Sequence, residues 1–295
     1  MKKALSVLLT AALSLGLLVL APITAHAATI EVANATQLAD ALNAAGNNTI
    51  RLTANIIYDD SIYIDTAKTI TLDLNGKTLS VNNCVALYGG AKLLLPNPAS
   101  GQFNVSCGNY DTITVVVSGA GSKLEVTNVN YTTADGGDAA CADWGGEIIV
   151  YGNVTSGRNS VAAQFDGSKI TINGTLTVPA DRPYITVGMT QKNATGYTTP
   201  TTKTGYRTYT DGTDTVWVKC NAHTPGDWIV DTQPTATAAG SKHKECTACK
   251  YVTDTQTIAA TGKFIKLWGK TTTWLDNFGN WLLVIFCFGW IWMAF

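Results

Sequence analysis

Two short cysteine motifs in the last third of the chain have the spacing of a metal site. Cys220 and His223 are separated by two residues, Cys246 and Cys249 are again separated by two, and 22 residues lie between the pairs. A two-residue separation lets both side chains reach one tetrahedral ion, and two such pairs joined by a short strand-turn-strand form a zinc ribbon. We therefore expect these four residues to bind one metal ion, with zinc as the cofactor.

The same four residues allow a second interpretation. In an exported protein, a Cys-x-x-Cys pair can also form a disulfide, because the compartment is oxidising. His223 would then be an ordinary surface residue. The paired spacing favours the metal site over the disulfide.

A second group of residues has the chemistry to bind a hard cation or a sugar. Asp135, Asp138 and Asp143 lie close together in the sequence, and Trp144 follows directly. Carboxylate oxygens suit Ca²⁺, and a tryptophan ring offers a flat surface on which a sugar can stack. Aspartate and glycine are also the usual residues of solvated turns, and this composition favours an insertion loop without a ligand.

A repeated phrase predicts the elements that position these residues. Segments reading glycine, small, charged, aliphatic, any, aliphatic recur at intervals of 22 to 31 residues, at 90–95, 121–126, 145–150 and 167–172. Units this short cannot bury an apolar face alone, so they must stack on one another. We predict an all-β fold, a parallel β-helix with one aliphatic core. An antiparallel sandwich is the alternative, but it gives no reason for the phrase to recur.

One soluble helix is predicted just before the first repeat, over residues 36–46. Thr36 can cap its start, Leu38 and Leu42 share one face, and Gly46 ends it. We expect this helix to cover the open N-terminal end of the β-helix, because terminal units of a stacked array need such a cap.

The first 27 residues have the pattern of a signal peptide. Lys2 and Lys3 precede an apolar run, and Ala25-His26-Ala27 forms a cleavage site. We therefore expect an exported protein. Removal of this segment leaves 18 basic and 21 acidic residues, and the chain lacks the basic stripe that binding to nucleic acid requires.

The C-terminal residues predict attachment to a membrane. Residues 281–295 carry no charge, and tryptophans stand at 274, 281, 290 and 292. A full crossing needs about 20 apolar residues, and Lys263, Lys266 and Lys270 lie on the exported side, which the positive-inside rule disfavours. An interfacial anchor helix therefore competes with a transmembrane helix, and a strand packed on the β-helix is a third alternative.

These patterns divide the chain into five predicted segments. They are a signal peptide (1–27), the β-helix (28–190), a threonine-rich linker (191–215), a Cys/His module (216–262) and a hydrophobic membrane anchor (263–295).

Three runs in the first part of the chain resemble a known family. Residues 35–43, 49–56 and 68–79 look like the opening of right-handed parallel β-helix domains of the pectate-lyase-like superfamily, in particular those of surface proteins of Gram-positive gut bacteria. Residues 223–262 are similar to a small His/Cys-x-x-Cys repeat of the same surface proteins. That repeat closes with Ile-Pro-Ala-Thr-Gly-His, where this chain has Ala259 and Lys263. If the closing histidine is a ligand in the family, Cys220 would have to replace it.

The resemblance implies a fold more strongly than an activity. Enzymes of the superfamily combine clustered carboxylates, often holding Ca²⁺, with a basic residue, whereas here Arg51, Arg158 and Arg182 are the only arginines before Gly196 and no histidine is available. We expect a non-catalytic cell-surface protein, adhesin-like or glycan-binding, with a glycan or a surface protein as its ligand. A polysaccharide lyase or glycoside hydrolase, and a structural spacer, are the alternatives.

Overall fold

The computed structural model describes residues 28–108, 113–133, 137–157 and 159–262. Most of these residues form a β-solenoid of about six turns. The parallel β-helix predicted from the repeated phrase is therefore confirmed.

The solenoid is built mainly from short strands. In chain order its elements are β1 (Ala28–Val32), α1 (Ala35–Asn43), β2 (Asn48–Leu52), β3 (Ile56–Tyr58), β4 (Ile62–Ile64), β5 (Thr69–Asp73), β6 (Thr78–Val81), β7 (Val85–Leu87), β8 (Lys92–Leu94), β9 (Gln102–Cys107), β10 (Val115–Ser118), β11 (Lys123–Val126), β12 (Asn128–Tyr131), β13 (Asp138–Asp143), β14 (Glu147–Val150), β15 (Val154–Ser156), β16 (Asn159–Gln164), β17 (Lys169–Ile172), β18 (Leu176–Thr177), β19 (Ile185–Val187), β20 (Thr190–Lys192), β21 (Tyr206–Thr210) and β22 (Thr215–Lys219).

These strands form three sheets that run side by side along the coil. The first sheet has the order β1-β2-β5-β8-β11-β14-β17-β22-β21, the second β20-β19-β16-β13-β10-β7-β4, and the third β18-β15-β12-β9-β6-β3. Neighbours within a sheet are mostly three strands apart in sequence. Each turn of the coil thus adds one strand to every sheet, which is how a parallel β-helix grows.

The repeated phrase lies in register within the first sheet. It supplies β8, β11, β14 and β17, and their aliphatic residues are Cα partners from one turn to the next. The inward-pointing members are almost completely buried: Leu93, Leu124, Ile148 and Ile170. Because side chains alternate along a strand, this stack forms one side of a single aliphatic core.

The helix α1 is present, with ends that differ from the prediction. It begins at Ala35, and the cap is Asn34 rather than Thr36, because the Asn34 side chain accepts a hydrogen bond from the Gln37 N–H at 3.0 Å. Leu38 and Leu42 are buried in the solenoid core. The strand β1, which precedes the helix, forms the edge of the first sheet, and a capping role for α1 stays a prediction.

Residues 191–215, which the sequence predicted as a linker, contribute strands to the solenoid sheets. β20 pairs antiparallel with β19, β21 pairs antiparallel with β22, and β22 pairs parallel with β17. This segment lacks the aliphatic repeat, so no sequence pattern indicated its strands. Thr208 and Tyr209 are nevertheless fully buried. Thr215–Lys219 therefore extends the first sheet of the solenoid.

Three further strands, β23 (Pro225–Thr232), β24 (Gly240–Cys246) and β25 (Val252–Ile258), form a separate antiparallel sheet. We call it the small sheet. Most of its side chains are exposed or half-buried. The predicted signal peptide and C-terminal anchor lie outside the described residues. Within the described ranges, no helix is long and apolar enough to cross a membrane.

Candidate metal centre and aromatic corner

The structure brings together the four residues that the cysteine spacing predicted. The ligand atoms of Cys220, His223, Cys246 and Cys249 all lie within 4.8 Å of one another. The three cysteines are buried, whereas His223 is exposed. All cysteines that the structure describes, including Cys246 and Cys249, are free thiols. This group could therefore hold a metal ion such as zinc.

The Cys-x-x-Cys turn is shaped by the backbone of the small sheet. Cys246 is the last residue of β24, and its carbonyl accepts a hydrogen bond from the Lys250 N–H at 2.9 Å. Lys250 adopts a left-handed conformation with φ of 55°, and the Cys246 N–H donates to the carbonyl of Tyr251 at 2.8 Å, so the turn closes directly after Cys249. A second backbone bond, from Thr247 N–H to the Thr224 carbonyl at 3.1 Å, ties this turn to the segment that carries His223.

Cys220 joins the cluster from the solenoid, because it directly follows β22. Its backbone N–H donates to the carbonyl of Gly205 at 2.9 Å, and the N–H of Gly205 donates to the carbonyl of Cys249 at 2.7 Å. One residue of the solenoid thus holds two of the four ligands. The candidate centre therefore lies at the junction between the last solenoid strands and the small sheet.

The thiols differ in their affinity for protons. Burial alone would raise the pKa of Cys246, but hydrogen bonds from the Ala248 N–H and from the His223 and Cys249 side chains lower the pKa to about 6. Burial raises the pKa of Cys249 to about 12, and the neighbouring Cys246 thiol adds to this rise. One thiolate therefore forms readily, and a bound cation would be needed to stabilise the others in that state.

The donor set fits a closed zinc site. In a tetrahedral centre with Zn–S bonds of about 2.3 Å, ligand atoms lie about 3.8 Å apart, so the four side chains need to move by about 1 Å or less. Three cysteines and one histidine fill all four positions. Such a site stabilises a fold, whereas a catalytic zinc keeps one position open for water.

The acidic residues singled out in the sequence do not converge in the same way. Asp138 begins β13 and Asp143 ends it, so at about 3.3 Å per residue they lie about 16 Å apart. Asp135 lies outside the described residues. Burial raises the pKa of Asp138 to about 6. Within the described ranges, the Cys/His cluster is the only group of three or more histidine, cysteine, aspartate or glutamate side chains placed to hold a metal ion.

Trp144 stands at a corner between the second and first sheets and stacks on a residue that the sequence analysis missed. Its ring lies 4.9 Å from that of Phe165, with an angle of 23° between the planes. Both rings are exposed, at 51% and 39%. The two stacked rings form an exposed aromatic pair, which we call the aromatic corner.

The backbone at this corner is unusual for aromatic residues. Trp144 and Phe165 have φ values of 50° and 60°. The strand register aligns them with Gly89 and Gly119 on the preceding turns, where φ values of 61° and 95° cost glycine little. Large side chains in this conformation are genuine outliers. Two turns of the solenoid thus place an aromatic ring where two others have glycine.

Comparison with known proteins does not assign the chain to a family. No protein-family model, curated protein or solved structure matches it. The two candidate sites are therefore the features of this chain that bear on its function.

Proposed function

We propose that this protein is a non-catalytic, exported surface protein, a right-handed β-solenoid of the pectate-lyase-like type that binds glycans at its aromatic corner. The observation that carries this proposal is the left-handed backbone of Trp144 and Phe165. Such a conformation costs a large side chain about 1 to 2 kcal/mol, and strained residues cluster at functional sites. Two exposed, stacked rings are a suitable surface for the apolar face of a sugar.

Asp143 adds a polar group beside the aromatic corner. It directly precedes Trp144, and its Oδ1 atom is buried without a hydrogen-bond partner in the described residues. Burial is the main cause of its raised pKa, and nearby Asp214 and Asp166 raise it further. Binding sites commonly combine an apolar surface with a few such polar groups.

Geometry favours binding over hydrolysis. The two carboxylates of a glycosidase lie about 5 to 9.5 Å apart, whereas Asp138 and Asp143 occupy opposite ends of β13. A glycoside hydrolase using these residues is therefore the weaker candidate. The same separation argues against one Ca²⁺ ion held by both. A lyase is weaker for a different reason, because Arg51, Arg158 and Arg182 are the only arginines before Gly196.

The second part of the proposal is a structural zinc centre. Cys220, His223, Cys246 and Cys249 would bind zinc where the solenoid meets the small sheet, and residues 263–295 would attach the chain to a membrane. The small sheet is poorly buried, and its own compact cluster consists of three of these cysteines and Ala248. A cluster this small needs a metal to fix the sheet in place.

A binding screen tests the glycan proposal. The full chain is applied to immobilised neutral and acidic polysaccharides, alongside Trp144→Ala and Phe165→Ala. We expect retention of the parent chain on at least one polysaccharide and at least tenfold weaker retention of both variants. If sugars are instead released, and release stops in Asp138→Ala, the protein is an enzyme and the proposal is wrong.

A further inference from the structure

The two faces of the small sheet have opposite charge. Cα partners in adjacent antiparallel strands point to the same side, so Trp228 shares one face with Lys244, and Val230 shares that face with Lys242. We call this the cationic face. The opposite face carries His243, whose Nδ1 lies 2.6 Å from Asp231 and whose Nε2 lies 3.3 Å from Glu245.

Trp228 is the centre of the cationic face. The Lys242 Nζ lies 4.4 Å from its ring centroid and the Lys244 Nζ lies 4.9 Å from it. One indole therefore holds two ammonium groups together, through cation-π attraction, despite their mutual repulsion. Val230, 43% exposed, extends the apolar part of this surface.

The charges of this face are not neutralised within the described part of the chain. Lys242 and Lys244 form no ion pair there, and Asp231 and Glu245 bind His243 on the other side. Asp254 is the Cα partner of Lys244 and is the one acidic residue on the cationic face. The face keeps a net positive charge beside a half-buried tryptophan and an exposed valine.

We propose that the cationic face docks on an anionic lipid surface, with Trp228 at the level of the headgroups. Tryptophan favours the membrane interface, and lysines near anionic lipids are attracted to them. The acidic face is repelled, so the sheet lies in one orientation. The proposal rests on the proposed membrane attachment for proximity, because β25 ends at Ile258, shortly before the predicted anchor over 263–295.

Amine footprinting tests this docking on the full chain. Acetylation of individual lysines is followed by mass spectrometry with vesicles of neutral phosphatidylcholine, and with vesicles that also contain phosphatidylglycerol. We expect anionic vesicles to slow acetylation of Lys242 and Lys244 at least fivefold. Lys77 and Lys169, on the solenoid, should react equally in both. If the chain binds neutral vesicles only through residues 263–295, all four lysines should be acetylated as fast as without vesicles.

Substitution provides the second measurement. Replacing both lysines, as Lys242→Gln with Lys244→Gln, should weaken partition onto anionic vesicles by about 25-fold, since each lysine contributes about a factor of five. Partition onto neutral vesicles should not change. The matched control is Lys77→Gln with Lys169→Gln, and circular dichroism verifies that both variants fold.

Three outcomes would overturn the docking proposal. They are equal acetylation of Lys242 and Lys244 with both vesicle types, no binding to anionic vesicles, and protection by soluble polyphosphate without protection by vesicles. Failure of the anchor is distinguishable, because it abolishes binding to neutral vesicles while the protection by anionic lipid remains.

Discussion

The Cys249 Sγ atom lies 3.3 Å from Nδ1 of His223. Cys249 is completely buried and His223 is exposed, so this contact joins the interior of the junction to its surface. The His223 ring also stacks on Tyr251, at 4.4 Å between centroids, which fixes the ring plane. A metal ion held here would be covered on the cysteine side, and its histidine ligand would face solvent.

The first prediction is one zinc ion per chain, lost when a cysteine ligand is removed. Cys246→Ser should lower zinc affinity by more than about a hundredfold. Even the substitution of a residue that only orients a ligand lowers metal affinity by about 10- to 100-fold. Metal content is measured by mass spectrometry and affinity by competition with a chromogenic chelator. Cys84→Ser, a half-exposed cysteine of the solenoid, is the matched control and should keep its zinc. A Cys246–Cys249 disulfide in the exported protein, found by thiol titration, would contradict the prediction.

The second prediction separates the small sheet from the solenoid. Removing zinc with a chelator should speed hydrogen exchange of β23, β24 and β25 by at least tenfold, because their buried cluster consists of the three cysteine ligands and Ala248. Amides of β10 and β13, whose inward side chains lie in the solenoid core, should keep their protection. If both regions lose protection together, the centre stabilises the whole chain rather than the junction.

The solenoid was predictable because its signal is local and repeated. Each copy of the glycine phrase gives the same strand and bend, and stacking then follows from the need to bury one apolar face. Residues 191–215 lack the phrase, so their strands were missed. The burial of Tyr209 depends on Tyr184 and Tyr197, whose rings lie 5.9 Å and 6.4 Å away, and no local pattern records such contacts.

The two candidate sites also differ in how far the sequence alone could predict them. The metal ligands lie in pairs whose members are separated by two residues, so their spacing alone predicted their convergence. Trp144 and Phe165 meet because adjacent turns of the coil align them, through a register that includes Asp143 and Gln164. The register shows that two turns have glycine at this position and that two turns have an aromatic residue. That difference identifies the aromatic corner.

The third prediction is that Trp144→Gly removes glycan binding with little effect on stability. Glycine relieves a left-handed backbone costing about 1 to 2 kcal/mol. It loses an aromatic contact contributing about 0.5 to 1.5 kcal/mol and the burial of about half of the indole, on the order of 1 to 2 kcal/mol. The net loss is on the order of 1 kcal/mol, so the melting temperature should fall by about 2 to 4 °C in a chain of this size. Calorimetry and polysaccharide retention are measured together. Trp217→Ala, on the first sheet, should retain binding, and a variant that unfolds on loss of Trp144 would contradict the functional role.

The fourth prediction concerns the anchor. Deleting residues 263–295 should release the protein from the cell envelope, because fifteen mostly large apolar residues would contribute well over 10 kcal/mol when buried in a bilayer, at about 1.5 to 3 kcal/mol for each large side chain. Fractionation with an antibody against the solenoid measures the release. The shortened chain should keep its β-sheet circular dichroism and its cooperative melt. Unfolding or aggregation would place the deleted residues in the core instead.

The last prediction uses the buried carboxyl group of Asp138. Burial raises its pKa to about 6, above the value of about 3.9 in an unfolded chain. The folded state therefore binds this proton more tightly, and the resulting stability is fully present below about pH 4 and is lost as the pH rises through 6. Asparagine has no proton to lose. Asp138→Asn should match the parent protein near pH 4 and exceed its free energy of unfolding at pH 8 by an amount on the order of 2 kcal/mol. Urea unfolding at both pH values measures the difference, with Asp60→Asn as the control at an exposed aspartate. A variant no more stable than the parent at pH 8 would show that water or a cation stabilises the ionised carboxylate in the fold.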